Sequence, residues 1–415
     1  MKRQLGVFCL VCLTLLGCAS DKKVAPKEGR IALQEEVVIP KADGHVKLSG
    51  AKKANIIHSA LYNAQNNTPM IAKITSTVSW KEKGANNQSD GGILLPAPIT
   101  GKSNVYTLDS SFTARAHKRT DGEMLWQTDL SKTQDIGIGF VKDDNRLIAL
   151  SQNGKVVAVD FKGNILWQKD LKAPFRNNPV LDKNSIYLLS ANNDVWVLNA
   201  DNGKENWHYK TQAPMTFLQQ MGNPAIDGDR LIVPFSSGLV TAFDKNTGTF
   251  LWEQDMTGAK AFDHISSISQ MTASPVIDDD KVYLVGHANR SGAFDLIDGE
   301  EIWSINHGGQ LTPIVNKNAI FILTNDDILL ALDKTTGNLF WKQSLPKIKG
   351  KKGMYLLDGQ IWVVGNEQSL VLNAKDGKII NNQESEVNGS RPILAQDGWY
   401  YLKKNGQLVH QGQLQ

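Results

Sequence analysis

The chain has 415 residues, 45 Lys and Arg against 42 Asp and Glu, a formal net charge of +3, and 41% apolar and 21% charged residues. That is the balance of a globular chain long enough to bury a sizeable core, and it lacks the basic excess of a nucleic-acid binder. All three cysteines, Cys9, Cys12 and Cys18, fall in the first 18 residues, so no disulfide staples the rest of the chain.

The chain opens Met1-Lys2-Arg3, continues as an apolar run from Leu5 to Leu16, and reaches Gly17-Cys18-Ala19-Ser20. This is the charged, apolar and small-residue order of an export signal. The run falls short of the about 20 apolar residues that span a bilayer, and no later segment comes close. Leu15-Leu16-Gly17-Cys18 resembles the lipobox of bacterial lipoproteins, which implies that residues 1–17 are removed and that Cys18 carries acyl chains as the new N-terminus. In that family an Asp after the Cys favours the inner membrane; Ala19 implies the outer membrane. A plain signal peptide that ends in Cys is the alternative. Residues 18–70 begin with a stretch rich in Lys, Glu, Ala and Pro, including Lys22, Lys23, Lys27, Glu28, Glu35 and Glu36, and are expected to be a solvated tether, or else an interaction arm. The folded domain is then 71–415.

Within it one unit repeats. Its clearest copies are Ala242-Phe243-Asp244-Lys245-Asn246-Thr247-Gly248 with Trp252, and Ala331-Leu332-Asp333-Lys334-Thr335-Thr336-Gly337 with Trp341. Weaker copies end at Trp126, Trp167, Trp207 and Trp303, and each Trp lies four residues after the Gly. Successive Trp residues from Trp126 on are 41, 40, 45, 51 and 38 residues apart. Stretches such as Leu231 to Phe235 and Leu239 to Phe243 predict strands. The Asp-x-x-Thr-Gly segment predicts a turn in which the carboxylate accepts backbone N–H bonds and the Gly takes positive φ. A Trp at the end of the last strand has the area to fill a gap between neighbouring sheets. A ring of such sheets buries faces that one sheet cannot.

Counting closes the ring. A seventh turn ends at Gly377 with Asn381 in the Trp position, and Arg391 to Leu394, Trp399 to Leu402 and Gln407 to His410 are three strands with no fourth. The strand of Trp80, 46 residues before Trp126, supplies it. The expected fold is all-β, an eight-bladed β-propeller of four-stranded antiparallel blades, or seven blades if the C-terminal strands form a cap.

The Ala-x-Asp-x-x-Thr-Gly-x-x-x-Trp pattern resembles the repeat of the pyrroloquinoline-quinone (PQQ) dehydrogenase propellers. With a lipobox on a single-propeller chain, the closer resemblance is to the BamB family, the propeller lipoproteins of the outer-membrane β-barrel assembly machinery. It covers about residues 75 to 410. The runs Ile226 to Gly238, Gln310 to Pro313 and Leu323 to Asp333 are similar to its alphaproteobacterial branch. The resemblance implies a non-enzymatic, cofactor-free subunit at the periplasmic face of the outer membrane that binds BamA and assists barrel insertion. Family members contact BamA through a Leu-x-Leu-Arg segment and an Asp-x-Asp segment. Counted back from Pro224 and Pro275, the matching positions are Thr216-Phe217-Leu218-Gln219 and Gln270-Met271-Thr272. Only Leu218 keeps the family's type, so the resemblance carries Phe217, Leu218, Gln219, Gln270 and Thr272 as partner-binding candidates with altered chemistry. The apolar side chains of Met215, Phe217, Leu218 and Met221 form either satellite core or partner surface.

No constellation for chemistry is evident. The histidines stand singly at 45, 58, 117, 208, 264, 287, 307 and 410, with no His-x-x-x-His, no Gly-x-Ser-x-Gly and no phosphate loop. The recurring Asp residues read as turn formers. A quinone site at the propeller axis is the enzymatic alternative, and another envelope-binding propeller lipoprotein the non-enzymatic one. The run Lys347 to Gly353 reads as a solvated loop or an anion contact.

Overall fold

The computed structural model describes residues 38–53, 63–74, 76–86, 95–211, 221–257 and 271–412. Among these, every helix or strand is a strand, and the strands join into eight four-stranded sheets. Blades 1 to 7 each use consecutive strands, within 99–129, 137–170, 180–209, 225–255, 276–305, 314–344 and 353–384. Blade 8 combines Ile393–Ala395, Gly398–Leu402 and Gln407–Gln411 with an outer strand, Ser79–Lys83, from the other end of the chain. Trp80 stands opposite His410 in that antiparallel pair. The count is eight, closed as the strand arithmetic expects.

The two middle strands of each blade are buried on both faces, as in Leu231 to Val233 and Val240 to Phe243. A blade packed between two neighbours has no wet face, so these strands read as nearly continuous β-branched and aromatic runs rather than alternating ones. The core is correspondingly a series of inter-blade clusters. One joins blades 3 and 4 through Val195, Val197, Leu231, Val233 and Phe243; the next joins blades 4 and 5 through Ile232, Ala242, Val282 and Phe294.

A Trp latch crosses most junctions. The Trp207 indole of blade 3 donates from Nε1 to Lys245 O at 2.9 Å in the last turn of blade 4. Its ring lies over Gly248, where a Cβ would come within 2.7 Å of the indole. Gly248 has φ +73° and closes a turn in which Asp244 Oδ1 accepts the Asn246 and Thr247 N–H groups. These bonds hold the Asp244 carboxyl below its ordinary value. The same bond runs from Trp80, Trp126, Trp167, Trp252, Trp303 and Trp341 to Arg119, Phe161, Ala200, Leu296, Lys334 and Ala374. Opposite Trp252 and Trp341 stand the small Ala242 and Ala331, each followed by a bulge that twists the outer strand toward the next blade.

The junction of blades 7 and 8 is built differently. In blade 8 the last two strands come from opposite ends of the chain, with Gly412 N meeting Ser79 Oγ at 3.3 Å, so no turn is there to receive an indole. Asn381 accordingly replaces Trp and is exposed. Wholly buried Trp399 fills the space, edge-on to Tyr355 at 4.9 Å and tilted against Trp362 at 5.8 Å. At the 8 to 1 closure, Arg119 grips Asp397 with two bonds of 2.7 and 2.5 Å and donates to Gly101 O, while Tyr400 OH donates to Asp397.

Replacing the latch in blade 4, Trp252→Ala, is expected to cost about 3–5 kcal/mol in urea unfolding, because it opens a cavity between two blades. Trp252→Phe keeps most of the area and is expected to cost less. Equal losses for both would place the stabilisation elsewhere. Burial pulls His117, His287 and His410 below their ordinary 6.5. The unfolded chain therefore binds more protons as pH falls below 6.5, and the folded state loses stability on that side. The melting temperature is expected to fall from pH 7 to pH 5, and less steeply in the His117→Gln, His410→Gln double variant.

Candidate partner-binding surface

Strand direction divides the ring into two faces. In each blade the first and third strands run one way and the second and fourth the other. Turns between strands one and two and between three and four gather on one face, here the turn face. The middle turns and the links between blades gather on the opposite, connection face.

In sequence, residues 212–220 fall between blades 3 and 4 and residues 258–270 between blades 4 and 5. Phe217, Leu218, Gln219 and Gln270 lie outside the described residues, as do Met215, His264 and Cys18. Thr272 is described: it is half-buried, and its Oγ1 donates to Gln310 O at 3.2 Å. Thr272 thus ties one link to the next rather than standing free.

The roots of both segments form a hydrogen-bonded base across blades 2 to 6. Asn178 N donates to Asn223 Oδ1, Asn223 N to Ser274 Oγ, Gly222 N to Met271 O, and Ser274 N to Thr312 Oγ1, at 2.9 to 3.1 Å. The fit at Gly222 is close: a Cβ there would lie 2.5 Å from Ala273 O. Met221 and Met271 are buried and join the clusters beneath. Of the loop side chains flagged for core or partner, Met221 is therefore core.

Composition gave no sign of the residues that brace this base. Described residues within 39–74, most of them inside the span read as tether, are hydrogen-bonded across the turn face. Leu339 N donates to Pro40 O, and Ala42 N to Leu339 O, on the outer strand of blade 6. Lys47 and Ser49 donate to Asn318 and Asn316 of the same blade. Ile226 N donates to Ala64 O and Ile277 N to Gln65 O, from the inner edges of blades 4 and 5; Ile71 N donates to Leu356 O on the inner edge of blade 7. Inner edges face the axis, so residues 64–71 lie along it. At the tip, Asn66 is 2% exposed, takes φ +57°, and donates from Nδ2 to both Pro224 O and Pro275 O at 3.0 Å. These prolines open the strands that follow the two long links. The only sequence signal for this role is the run Gln65-Asn66-Asn67, amides that match strand edges and tolerate left-handed φ.

Beside the tip lies a cavity of about 230 Å³ lined by Asn63, Gln65, Asn67, Asp227, Ile277, Asp278 and Asp279. Lys334 pairs with Asp278 and Asp279, offsetting their charge. Among the described residues no cluster of His, Cys, Asp or Glu is arranged to hold a metal ion. The lysine run lies on the connection face between blades 6 and 7. There Lys351 pairs with Asp327, and Lys352 donates to Gly389 O at 2.7 Å. Burial, with Lys404 nearby, lowers the Lys352 amine to about 8.

A family profile described as outer membrane protein assembly factor BamB matches residues 110–343 and 325–411. The Yersinia pestis protein of that name is 23% identical over 323 residues, which cover 74% of this chain and 82% of the relative. Among solved structures, BamB from Moraxella catarrhalis superposes with a TM-score of 0.68 at 18% identity, covering 81% of this chain and 98% of that one. The quinohemoprotein alcohol dehydrogenase ADHIIG from Pseudomonas putida HK5 reaches 0.66 at 10% identity, covering 87% and 81%. The two superpositions share the propeller fold and do not separate a scaffold from an enzyme.

Asn66→Ala leaves two buried carbonyls without their donor and is expected to cost about 1–3 kcal/mol. Hydrogen exchange should accelerate at residues 222–227 and 273–278 while blades 1 and 2 stay protected. Uniform acceleration would mean that Asn66 supports the whole ring and not the loop roots.

Proposed function

The chain belongs to the outer membrane protein assembly factor BamB family, and from that premise we propose that it is a non-enzymatic scaffold lipoprotein of the β-barrel assembly machinery. In this reading acylated Cys18 holds it at the periplasmic face of the outer membrane. The connection face binds BamA, and the bound propeller assists insertion of outer-membrane proteins. The observation that carries the reading is the shared base of the two long links. Residues 222–223 and 271–274, which directly follow the sequence stretches holding Phe217, Leu218, Gln219 and Gln270, share one hydrogen-bonded platform. A platform of this kind positions loops for a partner at low entropic cost on binding.

Against the quinone alternative stands the use already made of the axis. The inner edges of blades 4, 5 and 7, which would have to face a cofactor entering from the turn face, are hydrogen-bonded to Ala64, Gln65 and Ile71. The residues present do not fit a quinone there. The departures from the family's charged loop residues imply an interface weighted toward apolar contact through Phe217 and Leu218, with Thr272 helping to hold the loop root.

Crosslinking in native membranes is expected to recover BamA on the propeller. Phe217→Ala with Leu218→Ala is expected to weaken that association while leaving the melting temperature nearly unchanged. Recovery of other envelope components without BamA would favour a propeller lipoprotein of different partnership, and a large loss of stability in the double variant would make those side chains core.

A further inference from the structure

Every propeller blade ends in an open strand edge, and exposed edges are normally guarded by charge or covered. This chain covers one of its own. Pro40 to Ala42 lie parallel to the outer strand of blade 6, with Leu339 N donating to Pro40 O at 2.7 Å and Ala42 N to Leu339 O at 2.9 Å. Ile39 and Leu339 pack on the same apolar cluster. The apolar pair Leu339 and Phe340 is half-buried as a result.

Among the described residues, blade 7 repeats that edge without a cover. Ile379 lies two residues after Gly377 as Leu339 does after Gly337, and both pair with the residue after the bulge, Leu372 and Leu332. The N–H and C=O of Ile379 therefore point outward as those of Leu339 do. Ile379 and Ile380 are 41% and 52% exposed. No charge occurs from Ile379 to Gln383. Blades 1 and 2 expose apolar pairs at the same place, Met124 with Leu125 and Ile165 with Leu166, but their outer strands are tied to the next blade through Trp126 and Trp167; blade 8 carries Lys81, Glu82 and Lys83, and blade 4 Glu253. Blade 7 has no latch to make, because blade 8 offers no turn.

We propose that the outer strand of blade 7, Ile379–Glu384, docks an extended segment of an outer-membrane barrel polypeptide as a fifth strand. The occupant follows from the cover on blade 6: a short extended run that exchanges backbone bonds with one outward-facing residue and lays apolar side chains on the pair beside it. Strands of membrane barrels alternate apolar and polar residues and offer such a run every second position. The proposal rests on the assembly reading for the identity of the occupant, and on the edge geometry for the site.

The test uses the full mature chain and a ten-residue peptide of alternating Val and Thr with a terminal Lys at each end, followed by fluorescence anisotropy. Saturable binding is expected. Ile379→Pro removes the outward N–H without touching the bond ladder to the blade, and Ile380→Lys places a charge on the edge. Each is expected to weaken binding roughly fivefold or more, the weight of about one net hydrogen bond. Circular dichroism checks that both variants remain folded. Binding unchanged in both, or absent in the unaltered chain, overturns the proposal. BamA crosslinking of the unaltered chain is read in parallel. Its presence together with edge-independent peptide binding overturns the edge alone; its absence together with edge-dependent binding supports the edge and overturns the assembly reading.

Discussion

A tryptophan at the rim of one blade needs a hole, and the hole is the missing side chain of a glycine in the next. Trp207 over Gly248 is one of seven such contacts, and each adds a hydrogen bond from the indole to the turn that contains the glycine. The contact is directional, from a blade to its successor, so it sets the order of the ring as well as its cohesion. It also explains why Asp, Gly and Trp recur together. The carboxylate shapes the turn, the turn presents the glycine, and the glycine admits the indole. Change any one and the other two lose their reason to be there.

The same rule accounts for its exception. A turn between the last two strands exists only where those strands are continuous in the chain. Blade 8 is made from both ends, and blade 7 accordingly ends in Asn381. The missing latch is replaced by Trp399 with Tyr355 and Trp362, and the closure on the other side is reinforced by Arg119 on Asp397. Joining the termini in one sheet thus leaves blade 7 as the one rim whose outer strand has no internal task.

The two faces carry different parts. On the turn face, residues between 39 and 74 bond to blades 4, 5, 6 and 7 and reach the axis at Asn66. On the connection face the residues that follow the two long links form a platform of side-chain and backbone bonds. Asn66 reaches from one to the other, since the carbonyls it holds belong to the prolines that follow those links.

Repeat period, turn chemistry and the Trp position are local properties, and they were enough to determine the eight blades, their four-strand make-up and the pairing of Trp80 with the C-terminal strands. They are readable because every copy must solve the same packing problem with the same few residues. The bonds made by the described residues within 39–74 were not readable, because nothing in a polar stretch of Asn, Gln and Lys distinguishes amides that meet water from amides that meet the free edge of a distant strand. Asn66 lies 158 residues from Pro224 and 209 from Pro275. Thr272 was a partner-binding candidate and Met221 was open between core and partner surface for the same reason, and only the packing of neighbouring links made one a tie and the other core. Periodic sequence determined the ring; which polar groups complete one another across it was decided by tertiary proximity alone.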